Sequence, residues 1–266
     1  MPIMETAAPQ KSRLYEFDQA LLGRLRKIAV FGDIHGDHDS LQSLLKMVDL
    51  EKDFALFLGD YVDRGKSGVE VVDTIASLIK NYPSSVVALK GNHEDYSSDG
   101  NTQTNPWTLI DDVREKGMRW TNYFQDRLKP FIDSLYLSAI IPGEALFVHG
   151  GISSRIRGIN DLRHPNAFTE EDVLWSDPSY EDGEPANIER GFAGVLFGKD
   201  VTDYVCRALG VKRIIRSHQP RMARAGPHYM HSGRVVTTSS TAVYGGKPFI
   251  LAIDPADPSA ISHYFP

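Results

Sequence analysis

The 266-residue chain holds a single cysteine, Cys206, so an internal disulfide is excluded. Such sparing use of cysteine points to a reducing compartment, the cytoplasm. No apolar run approaches the roughly 18 residues needed to cross a bilayer, so no membrane partner is expected. The first residues, MPIMETAAPQKSR, lack the basic start and apolar centre of a signal peptide. Repeats and low-complexity tracts are missing too. Basic charge is not in excess: 29 Lys and Arg stand against 35 Asp and Glu, a net of −6. That balance gives no reason to expect a nucleic-acid partner. What remains is 41% hydrophobic and 24% charged, which excludes a disordered chain and suits a globular protein able to bury a sizeable core.

The net charge hides an asymmetry. Between Tyr204 and Ile253 there is no Asp or Glu, while Arg207, Lys212, Arg213, Arg216, Arg221, Arg224, Arg234 and Lys247 give +8. The segment is either a solvated face or part of a site for something negative.

The first half alternates strand and helix signals. Lys27–Phe31, Phe54–Leu58 and Val86–Leu89 read as buried strands. Between them, Leu41, Leu44, Leu45 and Val48, then Val69, Val72, Ile75 and Ile79, recur at helical spacing. The second helix should stop before Tyr82-Pro83. This β-α-β-α-β rhythm implies parallel strands joined by crossover helices, an α/β fold. Residues 95–108 read as a polar loop, followed by a largely helical stretch to about Ser134. Further strands are expected at Leu135–Ile141, Ala145–Val148, Arg213–Arg216, Arg234–Thr238 and Phe249–Ile253. A helix over Val201–Leu209 should end at Gly210 in a left-handed cap. No linker divides the chain. We expect an N-terminal extension over residues 1–26, part helical, and one catalytic domain over 27–266, with more than one sheet layer and a variable insertion at 95–120.

Three polar pieces follow the first three strands: Gly32-Asp-Ile-His-Gly36, Gly59-Asp-Tyr-Val-Asp-Arg-Gly65 and Gly91-Asn-His-Glu94. Two more, His149-Gly-Gly151 and Arg216-Ser-His-Gln219, follow later strands. Singly, each reads as an ordinary turn or a structural histidine. Together they converge, because ligands of parallel α/β sheets bind outside the carboxyl ends of the strands. Asp, Asn and His offer hard oxygens and borderline imidazoles, donors suited to manganese, iron or zinc. A pair of such ions, about 3.5–4 Å apart, activates water and clamps a phosphoryl group. Cys206 lies in a predicted helix and is read as a buried helix residue, so thiolate ligands are excluded. His38 begins a helix and is expected to be exposed. His164, His228, His231 and His263 belong to no motif. Trp107 and Trp120 either line a groove or pack within the insertion.

These pieces resemble the PPP family of metal-dependent serine/threonine protein phosphatases, within the calcineurin-like metallophosphoesterases. The likeness runs from about Lys27 to Ile253 and includes Trp175-Ser-Asp-Pro178 and the pair Arg190-Gly191 and Phe197-Gly198. It implies a central β-sandwich of mixed sheets flanked by helices, in four layers α-β-β-α. It implies two divalent metal ions, with Asp33 and His35 on the first, Asp60 bridging, and Asn92, His149 and His218 on the second. It implies His93 as the general acid, oriented by Asp63. Arg64, Arg190 and Asn92 would bind the phosphate, and Asp177 and Tyr244 would line the site. The implied reaction removes phosphate from phosphoserine or phosphothreonine, with phosphotyrosine also open, by direct attack of a dimetal-bridging hydroxide. Phosphoproteins are the implied partners. Hydrolysis of dinucleoside polyphosphates or other small phosphoesters is the alternative on the same fold, and an inactive binding scaffold the third. The sequence departs from the family near Tyr244, where Gly245 stands in place of a cysteine, so covalent capture by cyclic-peptide toxins should fail. The insertion and the lack of a regulatory tail suggest a compact, prokaryotic-type member.

Overall fold

Alternation of apolar side chains along the strands decides the layering. The computed structural model describes residues 12–266. One sheet has five strands, in the order Ile261–Tyr264, Ile250–Ile253, Lys27–Phe31, Asp53–Phe57, Val86–Ala88. The last three run parallel, and Ile250–Ile253 is antiparallel to both its neighbours. The other sheet has six, in the order Leu14–Glu16, Ser138–Ile141, Ala145–Val148, Arg213–Arg216, Val235–Thr237, His228–Met230. It too mixes directions, with two antiparallel pairs among parallel ones.

Ile28, Val30, Phe54 and Leu56 of the first sheet meet Ala139, Ile141, Phe147 and Ile215 of the second in one buried cluster. Their chain neighbours Ala29, Phe31, Ala55 and Phe57 face the opposite way. They pack under helices His38–Leu45, Gly68–Asn81 and Leu109–Glu115. On the far face of the second sheet, Ile140, Leu146, Val148 and Ile214 pack against helices Ala167–Trp175 and Lys199–Leu209. The result is helix, sheet, sheet, helix, the α/β arrangement implied by the resemblance. Each large apolar side chain so buried contributes about 1.5–3 kcal/mol.

Local rules hold where the signals were strong. Gly68–Asn81 stops before Tyr82-Pro83, and Lys199–Leu209 stops at Gly210 with φ +65°. The stretch after 108 is helical but broken: Leu109–Glu115, Trp120–Tyr123, a π-helical turn Phe124–Leu128, then Lys129–Ser134. Trp107 and Trp120 take the packing role. Their rings meet edge to face at 4.9 Å, and Tyr96 and Phe124 complete the cluster. Leu14–Glu16 pairs in parallel with Ser138–Ile141, so residues 12–26 contribute an edge strand and the short helix Gln19–Leu22, while the rest of the expected extension, residues 1–11, lies outside the described residues. Three residues are too few to show a period, as are His228–Met230 and the two-residue strands Asp177–Pro178 and Leu196–Phe197. Among the described residues, no helix is long and apolar enough to cross a membrane.

Candidate metal centre and phosphate site

Each polar piece lies at the carboxyl end of a strand. Asp33 and His35 follow Lys27–Phe31, Asp60 follows Asp53–Phe57, and Asn92 and His93 follow Val86–Ala88. His149 and His218 arrive from the second sheet, after Ala145–Val148 and Arg213–Arg216. The site therefore spans one end of both sheets. Asp33, His35, Asp60, Asn92, His149 and His218 are all buried.

The turns that deliver them are strained. Eight non-glycine residues among those described have positive φ, and His35, Asp60, Asp63, Arg64 and His218 are five of them. Each such conformation costs about 1–2 kcal/mol, and strain of this kind concentrates at functional sites. Two glycines make the turns possible. A Cβ on Gly91 would lie 2.3 Å from the amide nitrogen of Asp60, and one on Gly59 would lie 2.9 Å from His149 Nδ1.

The polar groups converge as electron-pair donors. His149 Nδ1 donates to the Leu58 carbonyl at 2.9 Å, which leaves Nε2 as a lone pair. That lone pair faces Asn92 Oδ1 at 2.9 Å, His218 Nδ1 at 3.1 Å and Asp60 Oδ1 at 3.3 Å. His35 Nδ1 likewise donates to the Val62 carbonyl at 3.0 Å, which turns Nε2 toward Asp60 Oδ2 at 3.4 Å and Asp33 Oδ2 at 3.9 Å. Backbone carbonyls behind ligating imidazoles fix the tautomer in this way. Asp33 Oδ2 and His218 Nε2 are buried with no hydrogen-bond partner. Donor atoms of Asp60, His149 and His218 lie within 4.8 Å of one another, and those of His35 and Asp60 gather as closely on the other side, with the ring of His93 bordering them. Facing lone pairs with nothing between them are unfavourable unless a cation sits there, so these residues fit a two-metal site with Asp60 common to both.

The charges agree. Burial raises the carboxyl of Asp60, but His149 and His93 outweigh it and hold it well below the usual carboxylate range. Burial lowers His149, yet Asp60 and Asp33 keep that ring above the ordinary histidine range: this end of the site attracts positive charge. His218 is pushed far down by burial and by Arg190 and His149, and His35 is lowered by burial. Neutral imidazoles are the ligating form.

His93 belongs to a second constellation. Its Nδ1 donates to Asp63 Oδ2 at 2.7 Å. Asp63 Oδ1 accepts the backbone N–H groups of Thr108 and Leu109 at 2.8 and 2.9 Å, so both carboxylate oxygens are committed. The His93 backbone N–H donates to Asp60 Oδ1 at 3.0 Å. Burial lowers the ring's affinity for a proton, but Asp60 and the bond to Asp63 outweigh it and leave His93 above the ordinary range.

Arg64 is half-buried, and its Nε has no partner. Arg190 Nε donates to Asp177 Oδ2 at 2.9 Å. Asp177 is more than a lining group. It also accepts from Asn187 at 3.1 Å and, through Oδ1, from Arg216 at 3.0 Å. Arg216 is wholly buried and its guanidinium further donates to the Gly150 carbonyl and to Gln219. Burial pushes it down to about 10, against Asp177. Tyr244 lies edge to face with the His35 ring at 5.5 Å, and the Arg221 guanidinium stacks 5.6 Å from the Tyr244 ring centre. Trp175 meets the His218 ring edge-on at 6.0 Å. His38 is half-buried and bonds Thr74.

Three groups had no role assigned from sequence. Glu94, fully buried, accepts the backbone N–H groups of Asp60, Tyr61 and Gly91 at 2.9, 2.9 and 3.1 Å. Burial, reinforced by Asp60, pushes its carboxyl up to about 7. Asp37 accepts from Ser40 Oγ, Thr241 Oγ1 and the Ala242 N–H at 2.7, 3.1 and 2.7 Å, tying the Tyr244 loop to helix His38–Leu45. Arg216 is the third. Glu94 closes a motif and Arg216 opens one, a signal that spacing carried without revealing what either side chain holds.

Acidic and imidazole donors gathered at the strand ends of a four-layer α/β sandwich, beside a histidine–carboxylate pair and two arginines, are the architecture of a metallophosphoesterase. The family model for calcineurin-like phosphoesterases matches residues 26–222. A serine/threonine-protein phosphatase of Caenorhabditis elegans is 30% identical over 82% of this chain and 48% of its own. The serine/threonine-protein phosphatase 4 catalytic subunit of Kluyveromyces lactis is 32% identical over 85% of this chain and 74% of its own. The chain thus spans about half the length of the first and about three-quarters of the second. A solved Saccharomyces cerevisiae protein serine/threonine phosphatase superposes with a TM-score of 0.79, covering 97% of this chain and 85% of that one at 23% identity, a likeness of fold. The chain belongs to the calcineurin-like phosphoesterase family and, within it, to the PPP group of serine/threonine phosphatases.

Proposed function

We propose that the protein removes phosphate from phosphoserine and phosphothreonine in proteins, as a metal-dependent phosphomonoesterase. The observation that carries this reading is the His93–Asp63 pair at 2.7 Å, set beside Asp60 and the converging donors. A serine alkoxide is a poor leaving group. As the P–O bond to it breaks, His93 delivers its Nε2 proton to the leaving oxygen, a contribution of about 10²–10⁴ in rate. Asp63 holds Nδ1, so Nε2 is the nitrogen free to do so. Arg64 and Arg190 clamp phosphate oxygens with the forked geometry that lysine lacks, and Asn92 adds a third polar contact. Asp177 and Tyr244 line this space. Asp33 and His35 would hold one divalent ion, Asp60 both, and Asn92, His149 and His218 the other. When bound, manganese, iron or zinc supplies Lewis acidity and an activated water. Residues 27–266 act as one catalytic unit, and the buried, unpaired Cys206 suits cytoplasmic conditions.

The test compares turnover of a phosphoserine peptide, a phosphotyrosine peptide and a diadenosine polyphosphate across a metal series. Preference for the phosphoserine peptide, lost in His93→Ala, is the expected result. Faster turnover of the diadenosine compound would move the protein to the small-phosphoester reading. Metal bound without hydrolysis of any substrate would leave it a scaffold.

A further inference from the structure

The turn that carries Asn92 and His93 is closed by a cation that phosphate chemistry leaves unused. Lys90 and Asp95 flank Gly91–Glu94, and Lys90 Nζ donates to Asp95 Oδ1 at 2.7 Å. The same Nζ donates to Glu170 Oε1 at 3.1 Å, on helix Ala167–Trp175. Arg13, next to the edge strand Leu14–Glu16, reaches that oxygen through Nη2 at 3.2 Å. Burial raises the carboxyl of Glu170, but Lys90 and Arg13 outweigh it and hold it below the usual range, so Glu170 is a carboxylate at neutral pH. Lys90 is itself buried. Taking an ammonium out of water costs about as much as its partners contribute, so a buried ion pair adds little to stability. The geometry it fixes is the stronger reason for its place.

Both members of the acid pair depend on that geometry. Asp95 sets the direction in which the chain leaves the turn. The next residue, Tyr96, packs against Trp107 and Trp120, with ring centres 6.4 and 5.8 Å apart. Trp107 leads into Thr108 and Leu109, whose N–H groups hold Asp63 Oδ1. At the other end of the turn, Lys90 leads into Gly91-Asn92-His93, and its own N–H donates to the Tyr136 carbonyl at 2.7 Å. Glu170 ties this assembly to the helix whose last residue, Trp175, meets the His218 ring. A shift at Lys90 therefore reaches His93 along the chain and Asp63 through the insertion.

We propose that Lys90 is a positioning residue: by joining Asp95 to Glu170 it aims the His93–Asp63 pair at the leaving oxygen. The inference rests on the phosphatase reading above and adds to it a group outside the site on which proton delivery depends. The alkoxide released from phosphoserine needs the proton of His93. p-Nitrophenolate, a far weaker base, leaves almost without it. Loss of aim separates these two substrates, whereas loss of fold or metal lowers both alike.

The test uses the full chain loaded with manganese, with metal content measured for each variant. Lys90→Met keeps the length of the side chain and removes its charge. Its kcat on a phosphoserine peptide should fall about tenfold, and its kcat on p-nitrophenyl phosphate by less than about twofold. Lys90→Arg should restore the wild-type ratio of the two rates. Asp95→Asn, at an exposed position, should lower that ratio in the same direction, and it carries the test if Lys90→Met does not fold. Added to Lys90→Met, it should have no further effect, because both act on one bond. An equal loss on both substrates would show that Lys90 acts through the fold or the metals and overturn the positioning role. An unchanged ratio would overturn it as well. A wild-type protein inactive on both substrates defeats the phosphatase reading first, which separates the two failures.

Discussion

Asp60 and Phe192 both hold left-handed backbone, with φ +56° and +71°, yet they sit under opposite constraints. Around Asp60 every direction is occupied. Glu94 takes its N–H, Gly91 leaves no room for a Cβ, and His93 bonds its carboxylate. Around Phe192 there is water on most sides. The strand ends hold reacting groups where packing and hydrogen bonds over-determine them, as preorganised chemistry requires. The rim places its side chains on a hairpin and an insertion, where substitution is tolerated.

If that division is right, damage at the strand ends should destroy turnover, while damage at the rim should leave turnover nearly intact. The largest effect is expected from His93→Ala or Asp60→Asn. Each should cut kcat by about 10²–10⁴ or more, with far-UV circular dichroism and thermal midpoint near wild type. Full activity in either would break the assignment of the strand ends.

Next comes Gly91→Ala. The added methyl meets the Asp60 turn at 2.3 Å, so that turn must move. A loss of about 1–3 kcal/mol in stability is expected, with reduced metal content by elemental analysis. An unchanged metal content would show the turn to be more pliant than its packing implies.

Asp63→Asn tests the acid. His93 stands above its ordinary range, so it stays protonated, and competent, until the pH rises through that higher value. Without the Asp63 charge the ring loses its proton at lower pH. The alkaline limb of the kcat profile should therefore move to lower pH, and kcat should fall more than KM rises. A limb that does not move would assign proton delivery to another group.

A smaller change is expected from Asp37→Ala, which frees the Tyr244 loop from helix His38–Leu45. Since Tyr244 only borders His35, KM should rise severalfold with kcat nearly kept. The smallest belongs to the basic segment. Arg221→Gln should raise KM slightly and weaken its dependence on salt, because Arg221 stacks on Tyr244. Arg224→Gln, at an exposed position, should do neither.

Much of this was legible in the residues because the signals were local. Lys27–Phe31, Ala145–Val148 and Arg213–Arg216 fold over the spans their apolar runs indicate. Glycine-flanked Asp, Asn and His pieces at strand exits named the site, since topology alone sends those exits to one end. Short edge strands such as Leu14–Glu16 were illegible, because their partner lies more than a hundred residues away. The hub made by Asp177 with Arg190, Asn187 and Arg216 was illegible for another reason: side-chain bonds across irregular loops leave no periodic signal.

By itself, then, the sequence determined the α/β class, the parallel run of the first three strands and the polar pieces at their exits, which follow from periodicity and topology. The ligand set and the pairing of His93 with Asp63 came from the resemblance to the family. Tertiary structure alone decided that Glu94 braces the Asp60 turn and that Asp177 aims Arg190. It also decided that Trp107 and Trp120 pack together and that Phe192 stands open to water. A side chain's burial and partners depend on which distant segments arrive beside it, and no local pattern records that.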